Sequence, residues 1–329
     1  LATIKDVARE AGVSVATVSR VLNNNGYVHE DTRVLVNDAI RELNYKPNEV
    51  ARSLYKKKSR LIGLLLPDIR NPFFPELARG VEDEMQAKGF RLIIGNADEK
   101  PSKELDYIDT FIQNNVIGII SATNHTKRDH YNNLSLPVVF LDRTSNDHPS
   151  VFANGMEGGK IAAREMVKRG CKRITLLKGP GELQTAQDRF KGAIEELCVS
   201  DVNFNVMATS SFSFEEGEKS AKILFKDFPD TDGVIASNDA AAAAILHEAL
   251  RIGKAIPEDL QIIGFDDIPL SSLLFPPLST IRQPAYEMGK EAAKLLIRLI
   301  NNEHVAEKNI QLPVSFIERQ TTRKVDDNG

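Results

Sequence analysis

Residues 3–23 read "TIKDVAREAGVSVATVSRVLN", two short helical patterns around a turn. Thr3 is a capping residue type, and Asp6 three residues on can answer it in a variant of the capping box. Ile4, Val7, Ala8 and Ala11 then share one face at helical spacing. Gly12 permits a turn, and Ser14 can cap a second helix. In that helix Val18, Val21 and Leu22 point inward, which leaves Val15, Ala16, Ser19 and Arg20 outside. A third run, Thr32 to Leu43, offers Val34, Val36, Ala39, Ile40 and Leu43 to close a small helical core. A bundle with an idle surface satisfies this spacing equally well.

Charge separates the two readings. The chain has 329 residues and a net charge of −4. Residues 1–60 hold 11 Lys/Arg against 7 Asp/Glu, whereas the remainder holds 31 against 39. A basic head on an acidic body suggests that the head alone meets a polyanion. With Arg20 exposed on a capped second helix, the pattern favours a helix-turn-helix.

The segment resembles the DNA-binding head of the lactose/galactose repressor family, whose pattern TIKDVA…AGVS..TVSRVLN it matches almost throughout. The resemblance implies that the second helix enters the major groove. Val15, Ala16 and Arg20 would then face base edges, with Arg20 suited to a guanine. Thr17, Ser19 and Asn23 would bind phosphates, which fix register without reading sequence. Thr3 and Ser14, at the two helix starts, belong to the same implied DNA-binding set.

Residues 48–54, "NEVARSL", read as a helix too short to be stable alone, since roughly 12–15 residues are marginal even for good formers. Arg52 and the basic "YKKKSR" beside it forbid burial in an ordinary core. The stretch resembles the family's hinge helix, which implies ordering on operator DNA against its twin in a homodimer. Val50, Ala51 and Leu54 would then join the DNA contact, the paired Leu54 side chains wedging the minor groove open. The expected division is a helix-turn-helix domain at 1–47, a hinge at 48–60 and a body at 61–329.

From Leu61 onward, apolar runs alternate with amphipathic stretches. Strands are expected at 61–66, 91–96, 117–122, 138–141, 173–179, 233–237 and 261–267. Helices are expected near 75–88, 103–113, 156–169, 186–198, 215–226, 239–251 and 285–301. Short apolar strands between helices imply parallel sheets covered on both faces. The expected fold is an all-α head plus an α/β body of two doubly wound parallel-sheet lobes, with a break near residue 155.

In such sheets ligands sit at the carboxyl ends of strands. Five of these ends offer Asn, Asp, Arg or Phe: "RNPFF" (70–74), "LDR" (141–143), "AQDRF" (186–190), "SND" (237–239) and "GFDD" (264–267). Helix capping accounts for part of this set, Asp239 above all. Taken together the residue types suit a neutral polyol: aromatic faces for C–H surfaces, Arg, Asp and Asn for hydroxyls.

The body resembles periplasmic-type sugar-binding proteins, the ribose-binding members especially. Asn71, Phe73 and Phe74 match their NNPFF turn, although Arg70 stands in place of its first Asn. Asp142 and Arg143 match LDR, Arg189 the Arg of the second lobe's first helix, and Phe212 the aromatic before the next helix. Asn238, Asp266 and Gln283 match the Asn of ND, the Asp of GFD and a Gln on a crossing strand. The resemblance implies a first lobe at about 61–155 plus 285–301 and a second at about 156–282 plus 313–323. It further implies a transcriptional repressor of a sugar operon, released from a palindromic operator when D-ribose binds between the lobes. Another sugar, a purine or a phosphoprotein co-repressor are the alternatives for the effector.

Other classes lack their residues. "GMEGGK" (155–160) is one residue short of a phosphate loop, and Lys160 precedes Ile. No nucleophile elbow or dinucleotide fingerprint is present, and the six His are scattered. Cys171 and Cys198 have no metal spacing and read as small buried or half-buried side chains. The chain is therefore expected to be no enzyme and to need no cofactor or metal. No apolar stretch approaches the roughly 18 residues of a membrane span, so a cytoplasmic protein is expected. The polar tail after Arg323 has no heptad pattern, which favours a dimer.

Overall fold

Three helices build the head: α1 (Ile4–Glu10), α2 (Val15–Asn23) and α3 (Glu30–Glu42). The computed structural model describes residues 2–46, 59–123, 128–144 and 147–325, and the chain divides into units at 1–59 and 60–329. Asp6 N donates to Thr3 Oγ1 at 3.4 Å while Thr3 N donates to Asp6 Oδ2 at 2.9 Å, closing the capping box. The Thr3 bonds hold the Asp6 carboxyl below its ordinary range. Gly12, at φ +66°, makes the turn, and Ser14 Oγ accepts from Thr17 N at 3.1 Å to start α2.

Val7, Ala8, Val18, Val21, Val36 and Ala39 form the head's core, with Leu22, Ile40 and Leu43 packed against it. Val34 does not join them and is 49% exposed. Val36, Ala39, Ile40 and Leu43 make one stripe, and Val34, two residues earlier, points roughly 200° away from Val36. The helix also begins at Glu30 and not Thr32, with Glu30 and Asp31 in its first turn, where negative charge favours the exposed N–H groups.

The body holds two sheets. The first contains β1 (Leu61–Leu66), β2 (Arg91–Asn96), β3 (Ile119–Ser121), β4 (Val138–Leu141), β5 (Ser150–Ala153) and β11 (Asn309–Leu312), ordered β11-β5-β4-β3-β1-β2. The second contains β6 (Arg173–Lys178), β7 (Asn203–Ala208), β8 (Gly233–Ile235), β9 (Gln261–Asp266), β10 (Ser279–Arg282) and β12 (Ser315–Ile317), ordered β12-β10-β9-β8-β6-β7. Pairings in the first sheet are parallel. The second sheet is parallel except that β12 runs antiparallel to β10. β11 belongs to the first sheet, so that lobe's returning segment extends past residue 301.

Between the strands lie α4 (Phe73–Ala87), α5 (Pro101–Gln113), α6 (Arg128–Asn132), α7 (Gly155–Lys168), α8 (Gln184–Leu197), α9 (Phe214–Asp227), α10 (Asp239–Arg251) and α11 (Ala285–Ile300). Leu64, Leu66, Ile120 and Leu141 bury one face of the first sheet against α4 and α11. Leu65, Ile119, Val138 and Phe140 bury the other against Ile108 and Phe111 of α5. The chain passes between lobes three times, from β5 to α7, from β10 to α11 and from β11 to β12.

One packing device occurs in both lobes. Helices α4 and α11 touch backbone to backbone, Gly80 against Tyr286 O and Gly289 against Leu77 O. Helices α7 and α8 do the same, Gly159 against Arg189 O and Gly192 against Met156 O. A Cβ at any of the four would collide with a carbonyl oxygen. The glycines of "GMEGGK" thus open α7 and let α8 approach. Cys171 is buried, its thiol pushed up to about 12 by desolvation. Cys198 is exposed and not half-buried, because it follows the last inward residue of α8, Leu197.

Candidate functional site

On the head, Val15, Ala16 and Arg20 form an exposed face of α2. Thr3 and Ser14 are exposed at the helix starts, where their hydroxyls serve the caps. Thr17 and Ser19 are half-buried; Thr17 Oγ1 shares a 2.9 Å bond with Ser14 Oγ. Asn23 Nδ2 donates to Ser19 O at 2.8 Å, fixing that amide along the end of α2. Val50, Ala51 and Leu54 lie outside the described residues.

In the first lobe, Asn71 Oδ1 accepts from Phe73 N at 3.1 Å and turns the chain into α4. Phe73 and Phe74 meet edge to face at 5.3 Å and then part. Phe74 lines a cavity of about 640 Å³ with Asn71 and Phe212. Phe73 lines a second cavity of about 400 Å³ with Asp266 and Gln283. Asp142, just past β4, adopts left-handed backbone at φ +65°, tolerated by Asp better than by most side chains. Arg143 is buried; its Nε donates to Ala122 O at 3.2 Å and its Nη2 to Glu99 Oε1 at 3.4 Å.

In the second lobe, Arg189 Nη1 donates to Ser237 O at 3.0 Å, and Nη2 stands 3.4 Å from Asp266 Oδ1. Its guanidinium lies 3.9 Å over the Phe265 ring and 5.6 Å from that of Phe212. Gln283 Nε2 donates to Asp266 Oδ1 at 2.7 Å. Asn238, not Asp239, caps α10: its Oδ1 accepts from Ala241 N at 2.9 Å, and its Nδ2 donates to Phe212 O at 3.0 Å. Asp239 is the first helical residue, buried, and accepts from Ile268 N, Ser271 Oγ and Thr280 Oγ1. Capping fails there because the side chain turns inward to tie α10 to the β9–β10 connection.

The lobes meet electrostatically at these strand ends. Burial pushes Asp266 up to about 8, against the pull of Arg189, with the charges of Asp239 and Asp142 adding to the rise. Burial also raises Asp142, offset by Arg143 and then by Arg189 from the other lobe. Asp142 Oδ1, Arg143 Nη1, Arg189 Nε and Ser237 Oγ are buried without a hydrogen-bond partner. Each such atom costs about 1–3 kcal/mol. Their gathering at facing strand ends suits a ligand with several hydroxyls. At the mouth, Arg70 reaches across: Asp68 Oδ2 holds its Nη2 at 2.9 Å, and its Nη1 stands 3.3 Å from Glu215 Oε1 of the second lobe.

Sequence reasoning missed Glu99 and Ser237. Ser237 sits inside the quoted "SND". Glu99 had one signal, an acidic residue between a parallel strand's carboxyl end and the proline that opens the next helix. Among the described residues there is no His, Cys, Asp and Glu grouping that would hold a metal ion, and no helix long and apolar enough to cross a membrane.

Residues 3–48 match the family model "Bacterial regulatory proteins, lacI family", and residues 163–322 match the "Periplasmic binding protein-like domain". The ribose operon repressor of Bacillus subtilis is 62% identical over 99% of this chain and 100% of its own length. The lac repressor dimer bound to operator and the anti-inducer ONPF superposes with a TM-score of 0.88 at 25% identity, covering 97% of this chain and 98% of that one. A regulator from Alkaliphilus metalliredigens, complexed with D-xylulofuranose, gives 0.75 at 30% identity over 81% of this chain and 100% of that one. The chain belongs to the lacI family of bacterial regulatory proteins.

Proposed function

We propose that the chain is a transcriptional repressor of a ribose-utilisation operon and that D-ribose, bound between the lobes, releases it from the operator. It acts by binding and not by catalysis, as a cytoplasmic homodimer. Arg20, Val15 and Ala16 read base edges, and Thr3, Ser14, Thr17, Ser19 and Asn23 fix the head on phosphates. Val50, Ala51 and Leu54 form the minor-groove wedge.

One observation carries the sugar reading: Arg189–Asp266–Gln283 and Asp142–Arg143 converge from opposite lobes, buried, with polar atoms still to be satisfied. Phe74 and Phe212 supply ring faces in the 640 Å³ cavity, and the Arg189 guanidinium lies 5.6 Å from the Phe212 ring. A site of buried polar groups discriminates strongly against a ligand missing one hydroxyl, because its partner stays unpaired. The full-length similarity to ribose operon repressors supports ribose as the sugar.

A ligand that touches both lobes favours whichever lobe arrangement makes both sets of contacts. The test is an operator titration with and without saturating ribose at fixed salt, since salt alone shifts such affinities strongly. Ribose should weaken operator binding by about 5–150-fold, and operator should weaken ribose binding by the same factor. Tighter operator binding with ribose would reverse the sign of the switch. The relative complexed with D-xylulofuranose places ketopentoses in the same titration panel.

A further inference from the structure

We propose that Glu99 sets the charge selectivity of the sugar site, its carboxylate balancing the Arg143 guanidinium so that anionic sugars are turned away. This rests on the sugar-site reading above. Glu99 follows Asp98 in the turn between β2 and α5, and both hold left-handed backbone, at φ +54° and +51°. Two successive non-glycine residues in that region are uncommon and cost energy, so the turn is over-determined by its surroundings. Its effect is to carry Glu99 into the wall of the 640 Å³ cavity, beside Lys100 and opposite Phe212.

There Glu99 Oε1 stands 3.4 Å from Arg143 Nη2, closer than the 3.9 Å between Arg143 Nε and Asp142 Oδ2. Arg143 is buried, whereas Glu99 is one-third exposed. The carboxylate therefore sits on the ligand side of a cation that cannot turn to water. Its charge also reaches Asp142 and raises that carboxyl.

Five charged groups gather at these strand ends, Arg143 and Arg189 against Glu99, Asp142 and Asp266, with Lys100 beside Glu99 on the cavity wall. Burial raises both Asp266, to about 8, and Asp142, so Glu99, the least buried of the three, is the carboxylate that balances Arg143. An uncharged sugar can donate to carboxylates and accept from guanidiniums without disturbing that balance. A sugar anion would bring its carboxylate or phosphate to an Arg143 guanidinium that Glu99 already pairs. Removing the charge of Glu99 leaves Arg143 buried with excess positive charge, which an anionic group on the ligand would relieve.

The experiment is isothermal titration of the full chain, wild type and Glu99→Gln, at pH 7 and fixed ionic strength. The probes are D-ribose, ribonate and ribose 5-phosphate; the anions carry charge at opposite ends of the sugar and so cover either orientation. The wild type should bind ribose and exclude both anions. Glu99→Gln should tighten at least one anion by about tenfold or more. Glu99→Asn, a residue that tolerates left-handed backbone, reads the same if the glutamine variant fails to fold. A gain below about tenfold for both anions, in a chain that still binds ribose, overturns this inference alone. A wild type that binds no uncharged pentose overturns the site reading and this inference with it.

Discussion

Asp142 and Asp266 hold the same place in the two lobes. Each stands at the carboxyl end of the third strand of its sheet, β4 or β9, and each has a positive φ. Their surroundings differ. Asp266 accepts from Gln283, faces Arg189, and is followed by Asp267, which Arg282 and Arg319 grip at 2.6 Å each. Asp142 has one buried oxygen without a partner, and Arg143 beside it is drawn toward Ala122 O and Glu99. The second lobe presents a carboxyl group already oriented by its neighbours. The first presents one whose bonds a ligand completes. A sugar would take its orientation from the second lobe and draw the first onto it, because satisfying Asp142 and Arg143 is free energy available only in the liganded arrangement.

The shared skeleton gives the largest expected effect. Gly80→Val in the first lobe and Gly159→Val in the second should each cost several kcal/mol, since the new side chain meets a facing backbone carbonyl. Thermal melts checking this should show both variants failing alike. One tolerated and one ruinous would show that the two helix crossings are not equivalent.

Ligand wiring comes next. Arg189→Ala should lower ribose affinity by about 100-fold or more, because it strands Asp266 and the ligand's hydroxyls together. Asp142→Asn should cost about tenfold, since the amide keeps one acceptor. Calorimetric titration with ribose, alongside operator binding that persists, measures both. Equal losses would erase the proposed asymmetry between the lobes.

A pH series sharpens it further. Asp266 titrates near 8 in the folded chain, far above an ordinary carboxyl, so the folded state holds its proton where the unfolded state has lost it. Its contribution to stability is complete below about pH 4 and falls away as pH rises to about 8. Denaturant melts should therefore show the wild type losing stability relative to Asp266→Asn across that window. Asp142→Asn should move the same way. The smallest effect belongs to Arg70→Ala. Both Arg70 and Glu215 are exposed, and an exposed pair is worth little, so ribose should leave only about 2–5-fold faster in stopped-flow release. No change in release rate would mean that Arg70 leaves the cleft mouth untouched.

Much of this was legible in the chain. "LIGLLL" and "QIIGFD" announce β1 and β9 because strands buried on both faces read as apolar runs. β7, "NFNVMA", lies at a sheet edge with four of its six residues exposed, and β12, "SFI", is too short to carry a pattern. Val34 falls outside the core because apolar identity alone does not give helical phase. Within the site, Asn71, Asp142 and Arg189 stood out as polar residues at strand ends. Glu99 did not, because its direction depends on two left-handed residues that no composition rule foretells. Asn238 and Asp239 were told apart only by the fold, since either type can cap a helix and the choice lies with which one turns inward.

The three passages between the lobes also set an order of birth. On the ribosome, β1 to β5 emerge before the rest of the body, but α11, the second of the two helices that cover one face of their sheet, begins 132 residues after Ala153. At about 5–20 residues per second, Leu64, Leu66 and Ile120 have α4 beside them but wait on the order of ten seconds for the rest of their cover. The second lobe has no such delay: β6 to β10 and the helices α7 to α10 leave the tunnel as one unbroken stretch, short only of β12. The lobe whose carboxylate is already wired is thus complete in outline before the first lobe can close, and the more adaptable half is sealed last.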